Sequence, residues 1–365
     1  MKKIAHVQVM PKLSGVQQIS LDILCGLVNK DIKKYVICGS GNNDELEVQF
    51  REVFSENNIE VITVSSLKRN IGLHDIRCFI ELFRLFKKER FDIVHTNSTK
   101  PGIIARIAAK ISGVPKIIHT VHGIAFHKHE SPLKRVMYYI LENIASLFGD
   151  ENVTVNKIYR KYYPFVKSKV IYNGVDFNSL NFQTKTNDDT IHFAYMARLD
   201  EQKNPLEFIK AIKIVVDSHP QVPVRFTLAG RGELEDKCIR LIAQLGLTNI
   251  IKMPGWISDK NTFYNSVDVL CQPSKWEAFG LVFVEAAYFH IPSISRSVEG
   301  IPEVIRDGNT GLLYSGDEND LAHKMMFIIN EQNKIQELGL AAHDYVINNF
   351  NQKNMVDEYV KLYGL

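Results

Sequence analysis

At 365 residues, with 45% hydrophobic and 23% charged side chains, the chain is too long for one ordinary domain and is globular, not disordered. Its five cysteines (Cys25, Cys38, Cys78, Cys238, Cys271) are scattered without CxxC or paired Cys/His spacing, which argues against a disulfide framework and a zinc site. The net charge of +3 hides an asymmetry: residues 1–175 hold 26 of the 44 Lys and Arg but only 16 of the 41 Asp and Glu, a balance of +10 against −7 for the remainder.

The basic excess is densest over residues 100–170, with 12 basic against 4 acidic side chains. That half suits an anionic partner such as a lipid surface or a pyrophosphate. No aromatic-basic interleaving accompanies it, so nucleic acid is not expected as a partner. The opening MKKIAHVQVM has no apolar run of the signal-peptide kind, and no stretch approaches the roughly 20 apolar residues that span a bilayer. The expected place is the cytoplasm, peripheral at the inner face of the cell membrane.

In chain order, Ile4 to Val9 reads as a buried first strand, Pro11 to Gly15 as a loop and Val16 to Val28 as a helix. Strand, Gly-containing turn and helix begin a doubly wound α/β domain, and Gly15 lets the backbone approach a phosphate or sugar at the helix start. A dinucleotide fingerprint is absent, because Asp44 stands where the third glycine after Gly39 and Gly41 belongs. Tyr35 to Cys38, Glu60 to Val64, Asp92 to His95 and Lys116 to Val121 read as further strands, with helices at Leu73 to Lys88 and Pro101 to Ser112. In a parallel sheet, ligands sit at strand C-terminal ends, which is where His122-Gly123 falls. His95, His119, His127 and His129 have weaker claims.

Ser131 to Phe148 starts with an N-cap Ser and Pro at the first helical position and reads as a core helix, with Leu133, Met137, Ile140, Ile144 and Leu147 on one buried face. An interfacial helix at a membrane is the alternative, given its basic surroundings. Residues 183–190 are polar and read as linker or edge. The second half begins with a strand from Ile191 to Ala197, followed by Arg198 and Lys203 in a turn whose cations suit a diphosphate. Arg225 to Ala229 and Ile250 to Gly255 are strands, the first followed by the short turn Gly230-Arg231-Gly232. Asn309 to Leu313, a helix from Asp320, and helices at Lys334 to Asn348 and Gln352 to Tyr363 complete the chain.

The most informative stretch is Pro273 to Pro302. A strand from Val267 to Gln272 ends in a loop carrying Glu277, and a helix begins near Leu281 after Phe279-Gly280. Free N–H groups at a helix start favour a phosphate. A carboxylate only accepts hydrogen bonds and so suits pairs of sugar hydroxyls. One place holding both is a site for a nucleotide sugar.

The string from Glu277 through Phe279, Gly280 and Glu285, with Gly300-Ile301-Pro302-Glu303 after it, resembles the signature of retaining glycosyltransferases of family four, which have the GT-B fold. The segment from Arg198 to Lys203, the turn at Gly230 and Asn173-Gly174-Val175-Asp176 at mid-chain resemble further family motifs; Ser14 stands where the first of two glycines is common. The likeness is strongest over 191–315. It implies two Rossmann-like doubly wound domains facing across a cleft: residues 1–175 binding the acceptor and 176–349 the nucleotide sugar, with a C-terminal helix (about 350–365) crossing back to the first.

The resemblance also implies roles. Glu285 holds the ribose, Glu277 with the backbone of Phe279, Gly280 and Leu281 holds the sugar, and Arg198 and Lys203 neutralise the departing diphosphate. Gly230 lies near the nucleotide, Met253 flanks the uracil, and His122 lines the donor-sugar site. No metal is expected, and the UDP-sugar is substrate, not cofactor. The expected donor is UDP-GalNAc or UDP-GlcNAc, and the expected acceptor a sugar on undecaprenyl diphosphate at an anionic membrane surface. A soluble or different lipid acceptor, or a UDP-sugar epimerase of the same architecture, is the alternative.

Overall fold

The computed structural model describes residues 1–28, 31–41, 44–184, 190–219 and 223–365; most of the stretch read as linker, at 185–189, lies outside them. The chain divides into two compact units, one of residues 1–174 with 352–365 and the other of 175–351.

The first unit is built on seven parallel strands: β1 (Lys2–Val7), β2 (Ile32–Cys38), β3 (Ile59–Thr63), β4 (Ile93–Asn97), β5 (Lys116–Val121), β6 (Glu151–Thr154) and β7 (Ser168–Val170). Their spatial order is β3-β2-β1-β4-β5-β6-β7. Such strands are covered by helices and therefore run buried, as β4 throughout and most of β5 do, even though both carry His and Thr. The core gathers Val7, Ile37, Leu82, Phe86, Val94, Ala105 and Ile117. The order reverses between β1 and β4, which makes their C-terminal ends the switch point where doubly wound sheets bind ligands.

Two helices of this unit matter most. The C-terminal helix Gln352–Tyr363 returns to it and packs on helix Gly15–Gly26, with Val356 against Gly26. Tyr363 hydroxyl lies 2.8 Å from His6 Nε2 and 2.6 Å from His95 Nδ1, and His95 Nε2 is 2.7 Å from Thr120 Oγ1, itself 3.0 Å from the Tyr359 hydroxyl. Helix Pro132–Ser146 corrects the core-helix expectation. Leu133, Val136, Ile140, Ile144 and Leu147 are exposed, while Glu142, Asn143 and Ser146 are buried. The cause is polar anchoring: Glu142 accepts from Thr99 Oγ1 at 2.6 Å and from the Tyr163 hydroxyl.

The second unit has six parallel strands: β8 (Ile191–Met196), β9 (Val224–Ala229), β10 (Ile251–Gly255), β11 (Val269–Gln272), β12 (Ser293–Arg296) and β13 (Gly311–Tyr314). The order β10-β9-β8-β11-β12-β13 places its switch point between β8 and β11. Its core includes Phe193, Tyr195, Phe208, Ile212, Leu228, Val269, Leu321 and Met325. Strands β6, β7 and β12 and helix Glu45–Glu56 were not expected from the sequence. Among the described residues no helix is long and apolar enough to cross a membrane.

Candidate functional site

In the second unit the loops leaving β8 and β11 meet at the switch point. They are tied through Gln202: its carbonyl accepts from Lys275 N at 2.8 Å and its side-chain amide donates to Trp276 O at 3.1 Å. This join brings Lys203 Nζ onto Glu277 Oε2 as an ion pair, with both side chains largely enclosed. Lys203 N also donates to Asp200 Oδ1 at 2.9 Å, which fixes the turn that aims the lysine. The carbonyl of Glu277 accepts from Gly300 N at 3.2 Å, so the Gly300–Glu303 segment braces the Glu277 loop.

Arg198 does not share this pair. Its guanidinium contacts Asp200 at 2.6 Å and Gln202 Oε1 at 3.2 Å, and more than half of the side chain is open to solvent. The two cations expected to act together therefore have different partners, Lys203 a carboxylate of the site and Arg198 the carboxylate of its own turn, in the open.

Glu285 lies one turn into helix Leu281–Tyr288. Oε2 accepts from the Tyr264 hydroxyl at 2.9 Å and Oε1 from Lys260 Nζ at 2.6 Å. Burial, then the Glu285 carboxylate, pushes the Tyr264 phenol well above its usual range, so it remains a donor. Neither Lys260 nor Tyr264 was expected from the sequence; only their contact across 25 and 21 residues reveals them. The helix opens at Gly280 with φ +82, and a Cβ there would stand 2.6 Å from the Phe283 ring. Glycine thus permits a sharp entry that leaves the first helical N–H groups without an N-capping side chain, while Phe279 is buried beside Phe350.

Gly230 sits where the turn after β9 touches the turn after β8. At φ +142, any Cβ would lie 1.8 Å from Ala197 O, and Gly230 N donates to Gly255 O at 2.8 Å. Met253 lies on β10, partly buried against the core. Two hollows of this unit, about 290 and 500 Å³, are lined by Asp259, Asn261 and neighbours and by Lys210, Lys237, Leu206, Leu241 and neighbours. Glu277 and Glu285 line neither, so topology and charge, not the hollows, mark the site.

In the first unit the corresponding switch point presents Asn97 and His122, whose Oδ1 and Nε2 lie 3.0 Å apart. Ser98, just after β4, holds φ +67, a strained turn of the kind concentrated at functional sites. Burial pushes the His122 imidazole down to about 4, so it is neutral at ordinary pH. His95 and His119 are fully buried and serve the packing of the unit. Gly15 is the exposed first residue of its helix, and Ser14 makes no side-chain cap.

Residues 13–179 match the family model described as Glycosyltransferase Family 4, and residues 176–344 match Glycosyl transferases group 1. The chain is 30% identical to an Escherichia coli UDP-Gal:alpha-D-GlcNAc-diphosphoundecaprenol alpha-1,3-galactosyltransferase, covering 99% of this chain and 96% of that one. It is 28% identical to a Campylobacter jejuni alpha-1,4-N-acetyl-D-galactosaminyltransferase acting on a PP-undecaprenol-linked saccharide, covering 84% and 85%. In fold it is similar to Anabaena HepE in complex with UDP and glucose, with a TM-score of 0.81 at 19% identity over 100% of both chains.

Proposed function

Because this chain belongs to the family-four glycosyltransferases, with a group 1 glycosyl transferase module as its second half, we propose that it moves a hexose or N-acetylhexosamine from a UDP-sugar to a sugar on undecaprenyl diphosphate, in the making of a cell-surface polysaccharide. The observation that carries the reading is the Lys203–Glu277 pair at the switch point of the second unit, with Glu285 poised on the adjoining helix. UDP-GalNAc and UDP-GlcNAc are the donors first expected; the names of the two relatives add UDP-galactose and favour galacto-configured sugars.

In this reading Glu285 accepts from the ribose hydroxyls and Glu277 from the sugar hydroxyls. The backbone of Phe279, Gly280 and Leu281 donates to the donor, Met253 flanks the base, and Gly230 gives the nucleotide room. When hydroxyls occupy Glu277, Lys203 is released toward the diphosphate, and Arg198 swings in from solvent. Both then stabilise charge as the C1–O bond to UDP breaks. The acceptor hydroxyl attacks C1 from the same face and its proton passes to the departing phosphate oxygen, so configuration is retained. Both relatives' names specify an alpha product, which fits retention from an alpha-linked UDP-sugar. Two protein cations take the part a metal would play. His122 lines the donor-sugar site and Gly15 lets the backbone approach a phosphate or sugar; both lie on the first unit, which also binds the acceptor in this reading. The working place is the inner face of the cell membrane, peripheral to an anionic surface.

The test is UDP release from a panel of UDP-sugars, with and without a sugar-diphosphoundecaprenol acceptor, in buffer containing EDTA. Acceptor-dependent release with an alpha product supports the reading. Release with a soluble sugar alone discards the lipid acceptor, loss in EDTA discards metal independence, and absence of UDP binding overturns the site.

A further inference from the structure

Helix Pro132–Ser146 is built inside out. Its sheltered face is mostly polar: Glu142, Asn143 and Ser146 are at most 4% exposed, with Ala145 the one apolar residue among them. Its open face is apolar: Leu133 is 82% exposed, Val136 58%, Ile140 49%, Ile144 50% and Leu147 58%, with Met137 beside them. At 100° per residue these six positions fall within about one third of the helix circumference. A contiguous apolar stripe of this kind on a folded surface marks an interaction site.

The surroundings say what covers it. Lys134 and Arg135 lie on the helix and Lys128 just before it, all exposed. The short helix Ile158–Tyr162, which carries exposed Arg160 and Lys161, is fastened alongside: Asn143 Nδ2 donates to Tyr162 O at 3.0 Å, and the Phe126 ring meets both Tyr139 and Tyr162 edge-on. Of the four acids in 100–170, Glu142 is buried, Glu130 pairs with Lys134, Asp150 with Lys110, and Glu151 is half-buried at the start of β6. The rim of the stripe is thus net positive. In a twofold self-association these cations would approach their own copies. An anionic lipid surface accepts both parts: apolar side chains enter the headgroup–acyl boundary while lysine and arginine stay among the phosphates.

We propose that this helix is a membrane-docking surface, lying in the plane of an anionic bilayer with Leu133, Val136, Met137, Ile140, Ile144 and Leu147 in the interface. The inference deepens the reading above and rests on it for its purpose, delivery of the enzyme to a lipid-borne acceptor. Its geometry stands apart from that reading. The anchors at Glu142 and Asn143 point away from the stripe, so changes on the stripe leave the fold intact.

The test is co-sedimentation of the full-length protein with vesicles of phosphatidylethanolamine and phosphatidylglycerol, with phosphatidylcholine vesicles as the neutral control and no sugar substrate present. The expected result is anionic-vesicle binding that weakens in high salt and falls by about tenfold or more in the triple variant Leu133→Ser, Ile140→Ser, Ile144→Ser, whose melting temperature is unchanged. The variant Lys134→Glu with Arg135→Glu weakens binding in the same direction. Equal binding by the triple variant overturns the proposal, as does self-association that the triple variant abolishes without any vesicle binding. Turnover of a detergent-solubilised lipid-linked acceptor separates the two readings: turnover without vesicle binding removes the docking surface alone, and vesicle binding without turnover on any donor removes the glycosyl transfer alone.

Discussion

Lys203 and Glu277, 74 residues apart, close on each other as an ion pair at the C-terminal edge of β8 and β11. Each masks the other's charge, so a donor that engages Glu277 also unmasks Lys203. Coupled residues of this kind give losses that do not add. Lys203→Ala is expected to lower kcat by about 10²- to 10³-fold, the range for losing one stabiliser of transition-state charge. Glu277→Gln lowers it as well, and the double variant is little worse than either single one. Steady-state UDP release for the four proteins checks this; a Lys203→Ala enzyme of normal kcat removes the lysine from the chemistry.

Glu285 is held by two partners, Tyr264 and Lys260. Glu285→Ala is expected to weaken UDP binding by about tenfold or more, the effect of losing a charged acceptor. Tyr264→Phe keeps the carboxylate and costs less affinity. Titration calorimetry with UDP orders the variants, and a Tyr264→Phe protein that binds worse than Glu285→Ala would reverse the assignment.

Gly230 is a backbone requirement. A methyl group at φ +142 and 1.8 Å from Ala197 O moves the turn after β8, the same turn that carries Arg198 and Lys203. Gly230→Ala is expected to destabilise the second unit by about 2 to 4 kcal/mol and to weaken UDP binding with it. Urea denaturation followed with and without UDP measures both.

Burial holds several histidines of the first unit neutral. From the ordinary 6.5, His6 is pushed down to about 3 and His122 to about 4, and His95 and His119 are also lowered. An unfolded chain takes up these protons near pH 6.5 while the fold refuses them. Stability is therefore full above that value and falls as pH drops toward the folded values, by about 1.4 kcal/mol per pH unit for each such histidine. Chemical denaturation at pH 7.5 and pH 5.5 (about one unit either side of the free imidazole) should show a larger loss in the first unit than in the second, where burial lowers His290; equal stability at both would mean that the histidines are solvated.

Much of this is legible in the sequence. Strand β5, the helix start at Leu281 and the helix Gln352–Tyr363 fall where the residues placed them, because β-branched residues pack well in a buried strand and glycine marks an abrupt helix entry. Strands β6 and β7 are four and three residues long, too short to leave a period. Helix Pro132–Ser146 carries a clear apolar period, but period shows which residues share a face, not which face is covered. That is decided by Thr99 and Tyr163, 43 and 21 residues from Glu142. Glu277 and Glu285 stood out by their spacing, whereas the partners of Lys203 and Glu285 lie in other segments and come only with the fold.

The return of helix Gln352–Tyr363 to the first unit sets an order of assembly. On the ribosome, residues 1–174 emerge first, yet His6 and His95 wait for a hydroxyl group some 360 and 270 residues later in the chain, a separation of 357 and 268 positions. The middle segment, 175–351, has all its strands and can close while the earlier one is still open. The first part made is thus the last finished, and its sheet must stay soluble through the synthesis of the whole second unit. A released chain ending at residue 351 should show a protease-resistant second unit and a cleavable first one, with resistance spreading to the first when residues 352–365 are present.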